Sequence, residues 1–169
     1  MDEYTPDQIA QLLRRSYMAV DGLWFVMAEQ RHGYEAALQL DEDVWKVMPK
    51  IQARKAREVL GVEGNEPDDL GRCLGLKLAS EGTQYEVRIE GDQLEMRIVH
   101  CVWREVFERA QRLHISKDIA RNICLNEGAG WAAEFDLHLN FDLDCSMCGG
   151  GDCCRFVFSR SEEPAAAPA

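Results

Sequence analysis

The sequence predicts an α+β fold: N-terminal helices, then a four-stranded antiparallel sheet with packed helices. Three observations carry this. Apolar residues recur at helical spacing through roughly the first half of the chain. The period then falls to two around Tyr85, Val87 and Ile89, and again around Leu94, Met96 and Ile98. Two further runs close the sheet, one alternating over 137–143 and one marked by Phe156 and Phe158. With 169 residues the chain suits one domain over 1–160 with its own core. The tail 161–169, rich in alanine and proline, has nothing to bury and should be disordered.

Each element has its local signal. Thr5 is a good N-cap and Pro6 fits the first helical position. Ile9, Leu13, Ser16, Val20, Leu23 and Met27 follow in alternating steps of four and three, one seam along a helix ending near Gly33. Between Tyr17 and Ala28 only Asp21 and Gly22 are not apolar or aromatic. Such a helix needs cover on more than one side, as the centre of a monomer or against a second subunit. A homodimer through this helix is the expected assembly. A short helix over Tyr34 to Leu38 should precede a long segment capped by Asp41, broken after Met48 by Pro49 and closed by Gly61. Lys46, Lys50, Arg54 and Arg57 recur at helical spacing there, as a solvated ridge or a site for an anionic ligand or acidic partner.

Pro67 opens a helix to about Ser80 that Gly82 ends, with Cys73 on its apolar face beside Leu70 and Leu74. Gly91-Asp92 turns a β-hairpin. Helices are expected from about Trp103 to Leu113 and from Ser116 to Phe135.

The net charge of −11 argues against nucleic-acid and anionic-membrane partners. The polar, acidic N-terminus is unlike a signal peptide, and the apolar run 17–28 is too short to span a membrane. The expected compartment is the cytoplasm, where structural disulfides are disfavoured and clustered cysteines point to metal or redox roles.

That cluster is Cys145-x-x-Cys148-Gly-Gly-Gly-Asp152-Cys153-Cys154. Glycines let a tight loop wrap several thiolates around one ion. Zinc or an iron–sulfur cluster would use these sulfurs, and plain buried thiols are the remaining reading. Cys153 and Cys154 are adjacent on a nascent strand and should face opposite ways. In the helix from Ser116, the row Ile119, Ile123, Glu127, Trp131 and Phe135 holds one carboxylate. Glu127 must be paired, bind a metal, line a cavity or reach solvent at the edge of its row. Cys124 shares its face, and Gly128 and Gly130 allow another element or a ligand to approach. Trp103, Glu127 and Trp131 are the candidate walls of a ligand pocket, with Glu127 also the candidate general base. Cys101, at the end of the hairpin, is a possible nucleophile or ligand, placed by alternation on the face opposite Ile98.

Cys124, Gly-Ala-Gly130-Trp, then Asp142-x-x-Cys145-x-x-Cys148-Gly and Gly-Asp152-Cys-Cys154-Arg-Phe resemble the 4-vinyl reductase domain over 83–160. They also resemble the related L-2-amino-thiazoline-4-carboxylic acid hydrolases. The full length, including Tyr17-Met-Ala-Val-Asp-Gly-Leu-Trp24 and Val44-Trp-Lys-Val-Met-Pro49, is similar to an uncharacterised bacterial family of cytosolic proteins. The resemblance implies a zinc site of three cysteines and a carboxylate: Cys124, Asp142, Cys145, and Cys153 or Cys154, with Cys148 or Glu127 as alternatives to Asp142. It implies a module binding zinc and a small organic molecule. The other readings are a hydrolase of a small cyclic C–N substrate, and an iron–sulfur or thiol redox protein.

Overall fold

The computed structural model describes residues 3–141 and 146–160. Two compact units divide the chain, Met1–Asp43 and Val44–Ala169, where the sequence suggests one unit over 1–160.

In the first unit, α1 (Pro6–His32) starts with a capping box. The Thr5 hydroxyl accepts the Gln8 N–H at 3.2 Å, and the Gln8 side chain accepts the Thr5 N–H at 2.8 Å. No residue of α1 is buried. After Gly33, α2 spans Tyr34–Trp45, so Asp41 lies inside a helix and not at the start of one, contrary to expectation. No glycine or proline interrupts 34–45, and helix propensity carries the chain through. Gln39 Nε2 donates to Asp43 one turn on, at 3.2 Å.

In the second unit, α3 (Met48–Leu60) begins with Pro49 in its first turn and ends at Gly61 in the left-handed region. α4 (Pro67–Glu81) ends at Gly82. The sheet holds β1 (Gln84–Glu90), β2 (Gln93–His100), β3 (His138–Phe141) and β4 (Cys154–Ser159) in the order β1-β2-β4-β3, antiparallel throughout. Gly91, at φ +56°, turns the β1–β2 hairpin as expected. On the inner face Leu94 pairs with Phe158, Met96 with Phe156 and Ile98 with Cys154. Leu94, Met96 and Phe158 are fully buried in a core shared with Leu70, Cys73, Trp131 and Phe135.

α5 covers only Val102–Arg109. The long helix expected from Ser116 is divided into α6 (Ser116–Ile119), a π-turn over Ala120–Cys124 and α7 (Leu125–Ala133). The side-chain amide of Asn122 donates to the Asp118 carbonyl at 2.9 Å, and that of Asn126 to the Asn122 carbonyl. Side chains that take up i−4 carbonyls compete with the helical ladder. Both helix glycines admit neighbours. A Cβ at Gly128 would meet Leu139 at 2.6 Å, and one at Gly130 would meet Pro49 at 2.9 Å.

The basic ridge is exposed at Lys46, Lys50 and Arg54, as the reading of a solvated face expects, and half-buried at Arg57. Arg54 makes two bonds of 2.9 Å to Glu134, beyond the end of α7. Arg57 donates to the carbonyls of Gly64 and Glu134 at 2.7 and 2.8 Å and lies 3.8 Å over the Phe135 ring. These two arginines tie α3 to the end of α7. Among the described residues, no helix is long and apolar enough to cross a membrane.

Candidate thiol and buried-charge site

β4 alternates as its sequence demands, and that decides the roles of its cysteines. Cys154 faces inward opposite Ile98. Cys153 lies on the other side, where its sulfur accepts from Arg97 Nε at 3.3 Å. The glycine loop before β4 winds around Ser146, which is fully buried. The Ser146 hydroxyl accepts the Gly149 N–H at 3.1 Å, and its carbonyl accepts the Gly151 N–H at 2.8 Å. Gly150 sits at φ +104°, which side-chain-bearing residues rarely adopt. The turn Met147–Gly149 presents Cys148 to the buried Ser116 hydroxyl.

Cys101, Cys124, Cys148 and Cys154, from the start of α5, the π-turn, the glycine loop and β4, are half-buried and lie near enough for their charges to act on one another. Burial pushes the Cys124 thiol well up, and the charges of Glu127, Cys101, Cys148 and Cys154 push it further. Burial raises Cys154 to about 12, offset in part by the Met147 backbone N–H and reinforced by Cys101, Cys148 and Cys153. Burial raises Cys101 too, against backbone N–H groups of Arg104 and Trp103. It also raises Cys148, against the Ser116 hydroxyl and the Arg104 charge.

Beside the thiols lies a buried ionic network. Lys77, 7% exposed, pairs with Glu81 at 2.9 Å and with Glu127. Its ammonium lies 5.9 Å from the ring centroid of Trp45, which is also buried. Burial opposes the charge on Lys77, but Glu127 and then Glu81 outweigh it and hold the pKa above that of an ordinary lysine. Burial raises Glu81, and Glu127 raises it further, while Lys77 and the Trp103 indole N–H stabilise its carboxylate.

The structure therefore brings Cys124, Cys148, Cys154, Glu127 and Trp103 into one region. It sends Cys153 to the opposite face and sinks Trp131 wholly into the core. Asp142 and Cys145 lie outside the described residues. Glu127 is paired rather than solvent-reaching. Cys101 departs from strand alternation because β2 stops at His100 and the chain turns into α5. Sequence reasoning missed Lys77 and Glu81. Their signal was present, since Cys73, Lys77 and Glu81 follow at steps of four along the buried side of α4.

The sulfur donors suit a soft or borderline divalent cation. Among the described residues, no group of three or more His, Cys, Asp or Glu side chains forms a ready coordination shell. The donor chemistry fits such an ion, and the thiols would have to close on it and lose their protons.

The other side of α7 borders a groove of about 710 Å³. Leu125, Ala129, Ala133 and Leu139 form much of its wall, with Asn126 and His138 as polar groups.

Residues 5–152 match the model of a family of unknown function, DUF6125. The chain belongs to this family. The DUF6125 match takes in Lys77, Glu81, Cys101, Cys124, Glu127 and Cys148, and ends just before Cys153 and Cys154. No curated protein and no solved structure matches the chain.

Proposed function

We propose that this protein is a metal-binding module in which Cys101, Cys124, Cys148 and Cys154 hold a zinc ion, and that the groove along α7 takes a small organic molecule. The observation that carries the proposal is the electrostatic neighbourhood of four half-buried thiols from four separate elements. Burial raises the pKa of each of the four thiols, a penalty on the bare thiolate. A bound dication reverses that penalty by stabilising thiolates. Zinc in an all-thiolate site supplies structural closure, here of the glycine loop and β4 against α5 and the π-turn. The groove lies within the usual size range of small-molecule sites. Glu127, the candidate general base of the hydrolase reading, is held by Lys77.

The test is a series of single Cys→Ser variants assayed for zinc content after purification without oxygen. Zinc should be lost from the Cys101, Cys124, Cys148 and Cys154 variants and kept in Cys73→Ser and Cys153→Ser. Loss in Cys153→Ser with retention in Cys101→Ser would replace this ligand set with the one the sequence suggests. Iron with visible absorbance would replace zinc with an iron–sulfur reading.

A further inference from the structure

α1 presents two faces. Tyr17, Met18, Asp21, Phe25 and Ala28 are half-buried, while Ile9, Leu13, Ser16, Val20, Leu23 and Met27 are all exposed. The exposed set repeats in alternating steps of four and three, the heptad spacing that winds one helix against another. Val20 is 56% exposed, Leu23 59% and Leu13 65%, figures that belong to surface residues rather than to the centre of an apolar seam. Leu12 and Trp24 flank the seam and are exposed still more. No charged residue interrupts it, and Ser16 is its only polar member.

We propose that this seam pairs with the same seam of a second copy of the chain. The heptad period calls for a helix as the partner, because a strand or loop cannot follow a spacing of three and four. A second copy brings that same period, and a two-fold axis lets one seam serve both sides. With no charge on the seam, like meets like without repulsion. The seam with Leu12 and Trp24 exposes on the order of 800 Å² of apolar surface, the share each partner of a standard interface buries. A patch of that size exceeds what a soluble monomer ordinarily leaves open. The inference is independent of the metal site.

Sedimentation equilibrium of the untagged full chain tests it. The expected mass is twice 19.2 kDa, falling toward 19.2 kDa on dilution. Leu13→Glu with Val20→Glu should give 19.2 kDa at all concentrations with helix content retained. Gln11→Glu, off the seam, should leave the dimer intact. In the unaltered chain, hydrogen exchange at the amides of α1 should slow as concentration rises, a readout that needs no variant to fold. A wild-type chain that stays monomeric at its solubility limit would overturn the proposal. So would a dimer that survives both glutamates with α1 still helical, or a mass change with no concentration dependence of exchange in α1.

Discussion

Replacing Lys77 with methionine isolates the energetics of the buried network. The ammonium pairs with Glu81 at 2.9 Å and with Glu127, and all three side chains are largely removed from water. Methionine has nearly the stem volume of lysine, so packing changes little while the charge disappears. Two carboxylates are then left together without their cation. Removing one partner of a buried ion pair costs about 3–5 kcal/mol. The lost cation–π contact with Trp45 adds about 1 kcal/mol. The expected total is about 4–6 kcal/mol, a large share of the roughly 5–15 kcal/mol that holds a typical domain together. Glu127→Gln should cost less, about 2 kcal/mol, because Lys77 keeps Glu81. The decisive variant is Lys77→Met with Glu81→Met and Glu127→Met, which removes every charge and leaves no buried polar group in its place. It should recover most of the loss, because replacing a whole buried ionic network by apolar groups of similar volume is close to neutral. Urea unfolding followed by far-UV circular dichroism reads all three. A cost under about 1 kcal/mol for Lys77→Met, or a triple variant no better than the single, would refute the reasoning.

Other expectations follow from packing. Gly130→Ala puts a methyl 2.9 Å from the rigid ring of Pro49 and should destabilise by about 1–3 kcal/mol in the same unfolding assay. Gly128→Ala meets the end of the flexible Leu139 side chain at 2.6 Å and the Phe156 ring at an ordinary 3.4 Å, so the gain in helix propensity of about 1 kcal/mol should bring it near neutral. Arg57→Ala loses two bonds to backbone carbonyls and the Phe135 stacking, and should lower stability by about 2 kcal/mol. Arg54→Ala removes an exposed ion pair and should leave the urea midpoint nearly unchanged in the same measurement.

Much of this architecture was legible because its signals are local. Thr5 and Pro6, Gly61, Pro67 and Gly82 mark helix ends by their own backbone preferences, and alternation in Tyr85, Val87 and Ile89 reads directly as a strand. Alternation also separated Cys153 from Cys154 before any coordinates. Asp41 misled because a cap residue inside a helix that no glycine or proline interrupts costs only a few tenths of a kcal/mol, about what its good neighbours return. The π-turn was hidden because it arises from Asn122 and Asn126 side chains competing for carbonyls, not from a breaker. The arginines of α3 read as a surface ridge because Glu134, the partner of Arg54, lies eighty residues away in sequence. Cys101, a possible ligand from the sequence, was placed by alternation on the wrong face. Its place depends on where β2 ends, and a boundary shift of one residue reverses the face of everything beyond it. Lys77 and Glu81 show the reverse lesson, since charged residues on a buried helical row signal a paired network.

The central claim is that the clustered thiols exist to hold a metal ion. Elemental analysis of the untagged full chain, purified without oxygen and dialysed against metal-free buffer, tests it most directly. The account predicts close to one zinc per chain and no visible absorbance. Protein free of metal, unable to take up zinc on titration and with every thiol still reactive after unfolding, would contradict it.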